Sequence, residues 1–233
     1  MKLGIMQPYL FPYIGYWQLL NTVDTFIIYD NIQFMNNRWF NRNNISVNQK
    51  KKLFTIPIKK DSHKLNVVDR YISDKSHKNI QVILAQINNE YKKAPYFNNV
   101  FPLIKSIFLH DEKNLFKYVY NSIIQVCNHY DIKTKIVISS NIDINHNLRK
   151  EFKVLAFNKA LNSTQYINMS SGHKLYDLDE FQKENIQLKF LKPEYIKYKQ
   201  ANDNFISFLS IIDVMMFNST EDTKKMLSKF EFI

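Results

Sequence analysis

The chain has 233 residues, enough for one large domain or two small ones with a substantial core. Its 45% apolar and 15% aromatic content excludes a disordered polypeptide. No run of about 18 uncharged apolar residues occurs, which excludes a membrane-spanning helix, and one cysteine, Cys127, excludes an internal disulfide and fits a reducing, cytoplasmic setting.

The opening "MKLGIMQPYLF" has one lysine, an apolar stretch broken by Pro8 and no small-residue cleavage site, so Lys2–Met6 reads as a buried strand and not as a signal peptide. Ile14, Trp17, Leu19, Leu20 and Val23 then predict a helix, and "TFIIYDN" a second strand, which begins a βαβ unit. "RWFNRNNIS" and "KKLFTIPIKK" predict two strands joined by the basic turn "VNQKKK".

The middle of the chain is helical. "SHKNIQVILAQINNEYKK" places Ile80, Ile83, Leu84 and Ile87 on one face behind a capping Ser76, and Pro95 stops it. "YFNNVFPLIKSIFLH" and "LFKYVYNSIIQVCNHYD" continue as helices, and Cys127 falls on the apolar side of the second. "TKIVISSN" is a strand, "LRKEFKVLAFNKAL" a helix, "QYINMS" a strand, "KLYDLDEFQKENI" a helix and "IQLKFLKP" a strand. In the tail, "ISFLSIIDVMMF" predicts an apolar helix with a core stripe of Phe205, Phe208, Leu209, Ile212 and Met216. A polar helix follows, capped by the Ser-Thr pair before Glu221. Strands interleaved with helices predict an α/β fold with a central, mostly parallel sheet and flanking helices. With no repeat or linker, the reading is one domain, 1–233, with a helical insertion or lid over roughly 76–131.

A net charge of +11 favours anionic ligands. The lysines are spread along the chain, however, and no finger, basic zipper or RNA-binding signature accompanies them, so nucleic acid is not the expected partner. No HExxH, paired cysteines or carboxylate run marks a metal, and no GxSxG marks a serine hydrolase.

The loop after the first strand lies at a strand's carboxyl end, where open α/β sheets bind ligands. Pro8 and Pro12 stiffen it, Gly15 permits close approach at the start of a helix whose amides suit a phosphate, and Tyr9, Phe11, Tyr13 and Tyr16 offer flat faces or fill a core corner. Asp30 and Gln33 follow the second strand and reach the same mouth, unless Asp30 serves as a helix cap or a turn residue. Arg42 in "WFNRNN" suits a phosphate, a carboxylate or a surface ion pair. Ser139 and Ser140 end another strand, as ligand contacts or as helix caps. Asp213 sits in an apolar run and therefore needs a cation or an amide, with Arg42 or Lys174 as the expected partner.

The order and spacing of "MQPYLFPYIGYWQLLNTVDTFIIYDNIQF", "WFNRNNI", "LFTIPI", "SHKNI", "APYF", "YINMSSGHKLYD" and "LSIIDVMMFN" resemble the WbqC-like family from end to end. The positions shared with its pattern are Gln7, Pro8, Pro12, Gly15, Asp30, Gln33, Asn41, Arg42, Pro57, His77, Pro95, Gly172, Tyr176, Gln200, Ser210 and Asp213. Many members carry a histidine where this chain has Met6, so an imidazole there is not essential chemistry, and "SSGHK" replaces a glycine pair before the C-terminal tyrosine. The resemblance implies a place in bacterial surface-polysaccharide (O-antigen, lipopolysaccharide) synthesis. The activity it implies is a transferase that acylates or aminoacylates, with glycine a candidate, the amine of a nucleotide-linked amino sugar.

Such chemistry needs a base for the amine and donors for an oxyanion. His77, at a predicted helix start, is the first candidate, with Asp30 beside it in the catalytic set, and His173, between Gly172 and Lys174, is the second. Gln7, Tyr9, Gly15, Gln33, Asn41, Arg42, Ser140, Gly172, His173, Lys174, Tyr176 and Asp213 are the expected substrate contacts. No cofactor is expected, and the donor is left open. An ATP-dependent ligase or nucleotidyltransferase, or a non-catalytic sugar- or nucleic-acid-binding module, are the rival readings.

Overall fold

The apolar run after Met1 forms β1 (Lys2–Met6) in the middle of a six-stranded sheet. The computed structural model describes residues 1–201 and 203–233. On one side of β1 lie β2 (Thr25–Ile28) and then β5 (Lys135–Ile138); on the other lie β6 (Gln165–Met169), β7 (Gln187–Pro193) and β8 (Phe230–Phe232). All neighbours are parallel except β7 and β8, so the α/β architecture with a mostly parallel sheet is as expected. Register is fixed by Gly4 opposite Phe26 and Ile167. A Cβ on Gly4 would stand 3.2 Å from the Phe26 ring and 3.3 Å from Val23, so glycine lets the helical layer close on the central strand.

Helices cover both faces, because each parallel connection must cross over the sheet. One face carries α1 (Ile14–Thr22), α2 (Ser76–Tyr91), α3 (Phe97–Phe108), α4 (Leu115–Tyr130), α7 (Ile211–Phe217) and α8 (Thr220–Met226). Their buried residues, among them Trp17, Ile87, Ile104, Val119 and Ile212, share one continuous core with Phe26 and Ile167. The other face carries α5 (Lys150–Ala160) and α6 (Leu178–Lys183), where Leu155, Phe157 and Phe181 pack on Leu3, Ile5, Ile27 and Tyr166. Among the described residues no helix is long and apolar enough to cross a membrane.

The basic turn does join two strands, β3 (Arg42–Val47) and β4 (Lys50–Thr55), as a separate antiparallel hairpin. Asn48 and Gln49 at its tip both have positive φ, 49° and 60°, the geometry that matches strand twist in two-residue hairpins.

Four expectations need correction. Ser76 does not cap α2 with its side chain; its N–H donates to Ser73 O at 2.9 Å, and it is the helix's first residue. The helix expected over 174–186 is only α6, because Asp177 caps it by accepting from Asp179 N at 3.0 Å, and Ser170–Leu175 forms a separate tight turn. The apolar tail helix starts late, at Ile211, because Ser210 caps it and Phe208 has a left-handed φ of 57°. Phe208 is therefore 68% exposed and not core, although Leu209, Ile212 and Met216 are buried.

Candidate functional site

Strand order reverses at β1: the chain first builds outward to β2 and β5, then returns to the other side of β1 as β6 and β7. Loops at such a switch point diverge and leave a crevice at the strands' carboxyl ends. A cleft of about 1260 Å³ lies there, with Met6 and Gln7 from the end of β1, Tyr29 after β2, Asn168 and Met169 from β6 and Phe190 from β7 on its walls. The Ser170–Leu175 turn brings Gly172, His173 and Lys174 to it, followed by Tyr176.

Hydrogen bonds fix the floor. Asn168 Nδ2 donates to the Tyr176 hydroxyl at 2.7 Å, which shares a 3.1 Å hydrogen bond with that of Tyr166. Asn168 Oδ1 accepts from Met169 N at 2.7 Å. Gly172 is needed beside this chain, since a Cβ there would lie 3.1 Å from Asn168 Nδ2. The His173 ring sits 4.9 Å from that of Phe190, tilted by 52°. Gln7 lines the cleft, and its Oε1 is shut off from solvent with no hydrogen-bond partner among the described residues, an acceptor left unused.

The tyrosines are held neutral. Burial raises Tyr9 above the usual phenol range, against the opposing pull of Arg38. Burial, with Tyr176 and Asp30 nearby, pushes Tyr29 up to about 12, and burial also raises Tyr176, against hydrogen bonds from Tyr166 and Asn168. These hydroxyls act as neutral donors and acceptors and none serves as a base at physiological pH. Arg38, Lys150 and Lys174 supply positive charge, and Glu151, Asp177 and Asp179 negative charge. His173 is the imidazole on the walls.

Of the residues singled out in the sequence, the cleft gathers Gln7, Tyr9, Gly172, His173, Lys174 and Tyr176. Asp30 lies directly after Tyr29 but is 1% exposed. Its Oδ1 accepts from Ser139 Oγ at 2.7 Å and Ser140 N at 2.9 Å, and its Oδ2 from Ser140 Oγ at 2.7 Å. Asp30 and Ser140 thus clasp the ends of β2 and β5 together behind the cleft. Gly15 is filled from the other side: a Cβ there would come within 2.5 Å of the Tyr13 ring, which covers the start of α1 where a phosphate was expected. His77 is exposed on the first turn of α2 and lies outside the cleft walls.

Gln33 lines a separate cavity and donates to His63 O at 2.9 Å. Asn41 and Arg42 belong to the hairpin; Asn41 Nδ2 donates to Ile56 O at 2.7 Å, and Arg42 Nε is buried without a partner among the described residues. Asp213 is wholly buried, and the expected Arg42 or Lys174 is not its partner. Two neutral hydroxyls donate instead, Tyr91 at 2.8 Å and Tyr198 at 2.7 Å, with Gln200 Nε2 at 2.8 Å.

Sequence reasoning missed Arg38, Lys150, Glu151, Asn168 and Tyr29. The strand-end rule applied to "QYINMS" would have found Asn168. Arg38, Lys150 and Glu151 have no local signal, since only the tertiary fold brings their segments to the same mouth.

The sequence model of the WbqC-like protein family matches residues 7–225. The chain is 24% identical over 217 residues to the uncharacterized protein Rv1507c of Mycobacterium tuberculosis, with 92% of each chain covered. No solved structure matches the chain.

Proposed function

The chain belongs to the WbqC-like protein family, and we propose that it is a transferase of bacterial surface-polysaccharide synthesis, acting on the amine of a nucleotide-linked amino sugar held in the switch-point cleft. The observation that carries this reading is the size and place of the cleft. At about 1260 Å³ it exceeds the volume of a site for one small ligand, commonly about 300–1,000 Å³, and so has room for an acceptor and a donor together. Tyr9, Tyr29 and Tyr176 offer ring faces and neutral hydroxyls to sugar and base, the unused Gln7 Oε1 offers an acceptor, and Arg38, Lys150 and Lys174 offer charge to a diphosphate.

Within this reading His173, on the cleft wall, and not His77, which lies outside it, is the base. It takes a proton from the sugar ammonium, freeing the lone pair to attack the carbonyl carbon of an activated acyl or aminoacyl ester or thioester. The new C–N bond forms as the bond to the leaving group breaks; the imidazolium returns its proton to that group, and the surplus proton on the attacking nitrogen leaves to solvent to give the neutral amide. Asp30 holds the strand ends in place and does not meet the substrate.

A thermal-shift panel of nucleotide-linked amino sugars, bare nucleotides, ATP and RNA, followed by mass spectrometry with candidate donors, tests the proposal. A ligand at a hundred times its Kd adds about 2.7 kcal/mol of stability. We expect that shift with a nucleotide amino sugar, and His173→Gln to keep it while lowering turnover by about 10²–10⁴. Pyrophosphate release from ATP would replace the transferase with a ligase or nucleotidyltransferase. Salt-sensitive RNA binding without turnover would make the chain a binding module.

A further inference from the structure

A second cavity, of about 390 Å³, shares a chain segment with the cleft. The segment between them gives Ile32 and Arg38 to the cleft and Gln33–Asn37 to the cavity. Its inner wall is Arg70, only 5% exposed, which follows a short turn at Val67–Asp69. Arg70 takes part in no ion pair among the described residues. Its Nη1 donates to Ser62 O at 2.9 Å and its Nη2 to Lys59 O at 3.0 Å, and its guanidinium lies 4.9 Å from the centre of the Phe34 ring. Its Nε, cut off from solvent, has no acceptor among the described residues. Two carbonyls and a ring face compensate a buried cation only in part, and a donor left empty adds to the deficit. An anion would complete the pairing.

The remaining wall suits an oxyanion with several acceptor oxygens. Asn36, Asn37 and His63 bring side-chain N–H groups. Asp61 is the carboxylate present; its Oδ1 accepts from Ser62 N at 2.7 Å and forms no pair with Arg70. A carboxylate ligand offers two coplanar oxygens to donors that come from different segments of the wall, whereas a phosphoryl group presents oxygens in several planes. We propose that this cavity is a phosphoryl-binding site, taking a phosphate monoester or diphosphate on Arg70, Asn36, Asn37 and His63, with Asp61 accepting from a hydroxyl of the attached group. It stands apart from the cleft and does not depend on the activity proposed there.

Titration of the full ¹⁵N-labelled chain with pyrophosphate, inorganic phosphate, a nucleoside diphosphate and acetate, read on arginine Nε–H and side-chain amide signals, tests it. Saturable shifts of the Arg70, Asn36 and Asn37 signals with pyrophosphate, and none with acetate, are expected. The nucleoside diphosphate arm tells a nucleotide from a bare phosphate by its affinity. Arg70→Lys keeps the charge but loses the fork and weakens binding at least about tenfold; Asn36→Ala weakens it a few-fold; His173→Gln leaves it unchanged. Unmoved Arg70 signals, shifts confined to Arg38, equal response to acetate, or wild-type affinity in Asn36→Ala would each overturn the proposal. If Arg70→Lys fails to fold, the wild-type Arg70 signal and Asn36→Ala still decide.

Discussion

Asp213 tests whether a carboxylate buried without a cation is a structural tie. Removing it as Asp213→Ala leaves the Tyr91 and Tyr198 hydroxyls and the Gln200 amide facing a void. Each buried group so orphaned costs about 1–3 kcal/mol. Gln200 keeps a second acceptor in Ile206 O at 3.0 Å, and a neighbouring cavity of about 260 Å³ lets water reach Tyr91. The sum is therefore about 3–5 kcal/mol, or about 6–20 °C in Tm for a chain of this size. Asp213→Asn keeps one acceptor and the shape, and its amide can donate to a hydroxyl that turns to receive it.

Here pH separates the two variants. Burial raises the Asp213 pKa above its ordinary 3.8, against the lowering by its three donors. The folded protein then binds the proton more tightly than the unfolded chain, so this group's contribution to stability falls as pH rises from about 3.8 to the raised value. Asparagine carries no such penalty. Urea melts from pH 4 to 8 should show Asp213→Asn less stable than wild type by about 1 kcal/mol at the acid end, with the gap closing toward neutrality, and Asp213→Ala far below both throughout. A gap that widens with pH, or an Asp213→Ala protein that melts like wild type, would refute the reasoning.

Two further outcomes follow from backbone geometry. Gln49→Gly relieves a positive φ of 60° at the hairpin tip, and should raise stability by about 0.5–1 kcal/mol; a lower Tm in calorimetry would mean that the side chain, not the turn, holds the tip. Gly172→Ala puts a Cβ 3.1 Å from Asn168 Nδ2 and must push Asn168 by a few tenths of an ångström off Tyr176. Loss of about 1 kcal/mol there should weaken nucleotide-sugar binding about fivefold by calorimetry, and unchanged affinity would remove the Ser170–Leu175 turn from the binding wall.

Local patterns made much of the fold legible. β1, α1 and β2 follow from apolar spacing within the first thirty residues, and alternation of strands with helices was enough for the α/β class. Strand order was not legible, because β1 pairs with β6, where Lys2 meets Gln165, and no local signal chooses a partner that distant. The C-terminal errors share a cause. "ISFLSIIDVMMF" has helical spacing throughout, but Ser210 Oγ donates to Phe11 O at 2.8 Å and Ile211 N to Pro12 O at 3.0 Å. Those tertiary bonds fix the point where the helix begins, so Phe208 is left outside it, exposed and in a strained φ.

The same bonds explain the crowded opening loop. Pro8 and Pro12 lack N–H groups, and apart from Leu10 N, which donates to Trp39 O at 3.1 Å, what the loop contributes is carbonyls. Asn43 Nδ2 donates to Leu10 O and Phe11 O at 2.9 and 2.6 Å, and Trp17 Nε1 to Pro12 O at 3.0 Å. The stiffness legible in the sequence therefore serves to bolt β1 to the hairpin and to α7. Only Gln7 and Tyr9 of that stretch reach the cleft with Met6, while Phe11 and Tyr16 are core. Charged residues misled for a related reason: Asp30, Arg42 and Asp213 are conspicuous in a sequence, but their partners are not. Asp30 finds Ser139 and Ser140, and Asp213 finds Tyr91 at a distance of 122 positions. Because α7 carries Asp213 at one end of this bolt and Gln7 stands at the other, Asp213→Ala should loosen the cleft as well as the core. Affinity in the cleft should then fall with stability in Asp213→Ala and return with it in Asp213→Asn at neutral pH, whereas a residue touching the substrate would lose affinity in both.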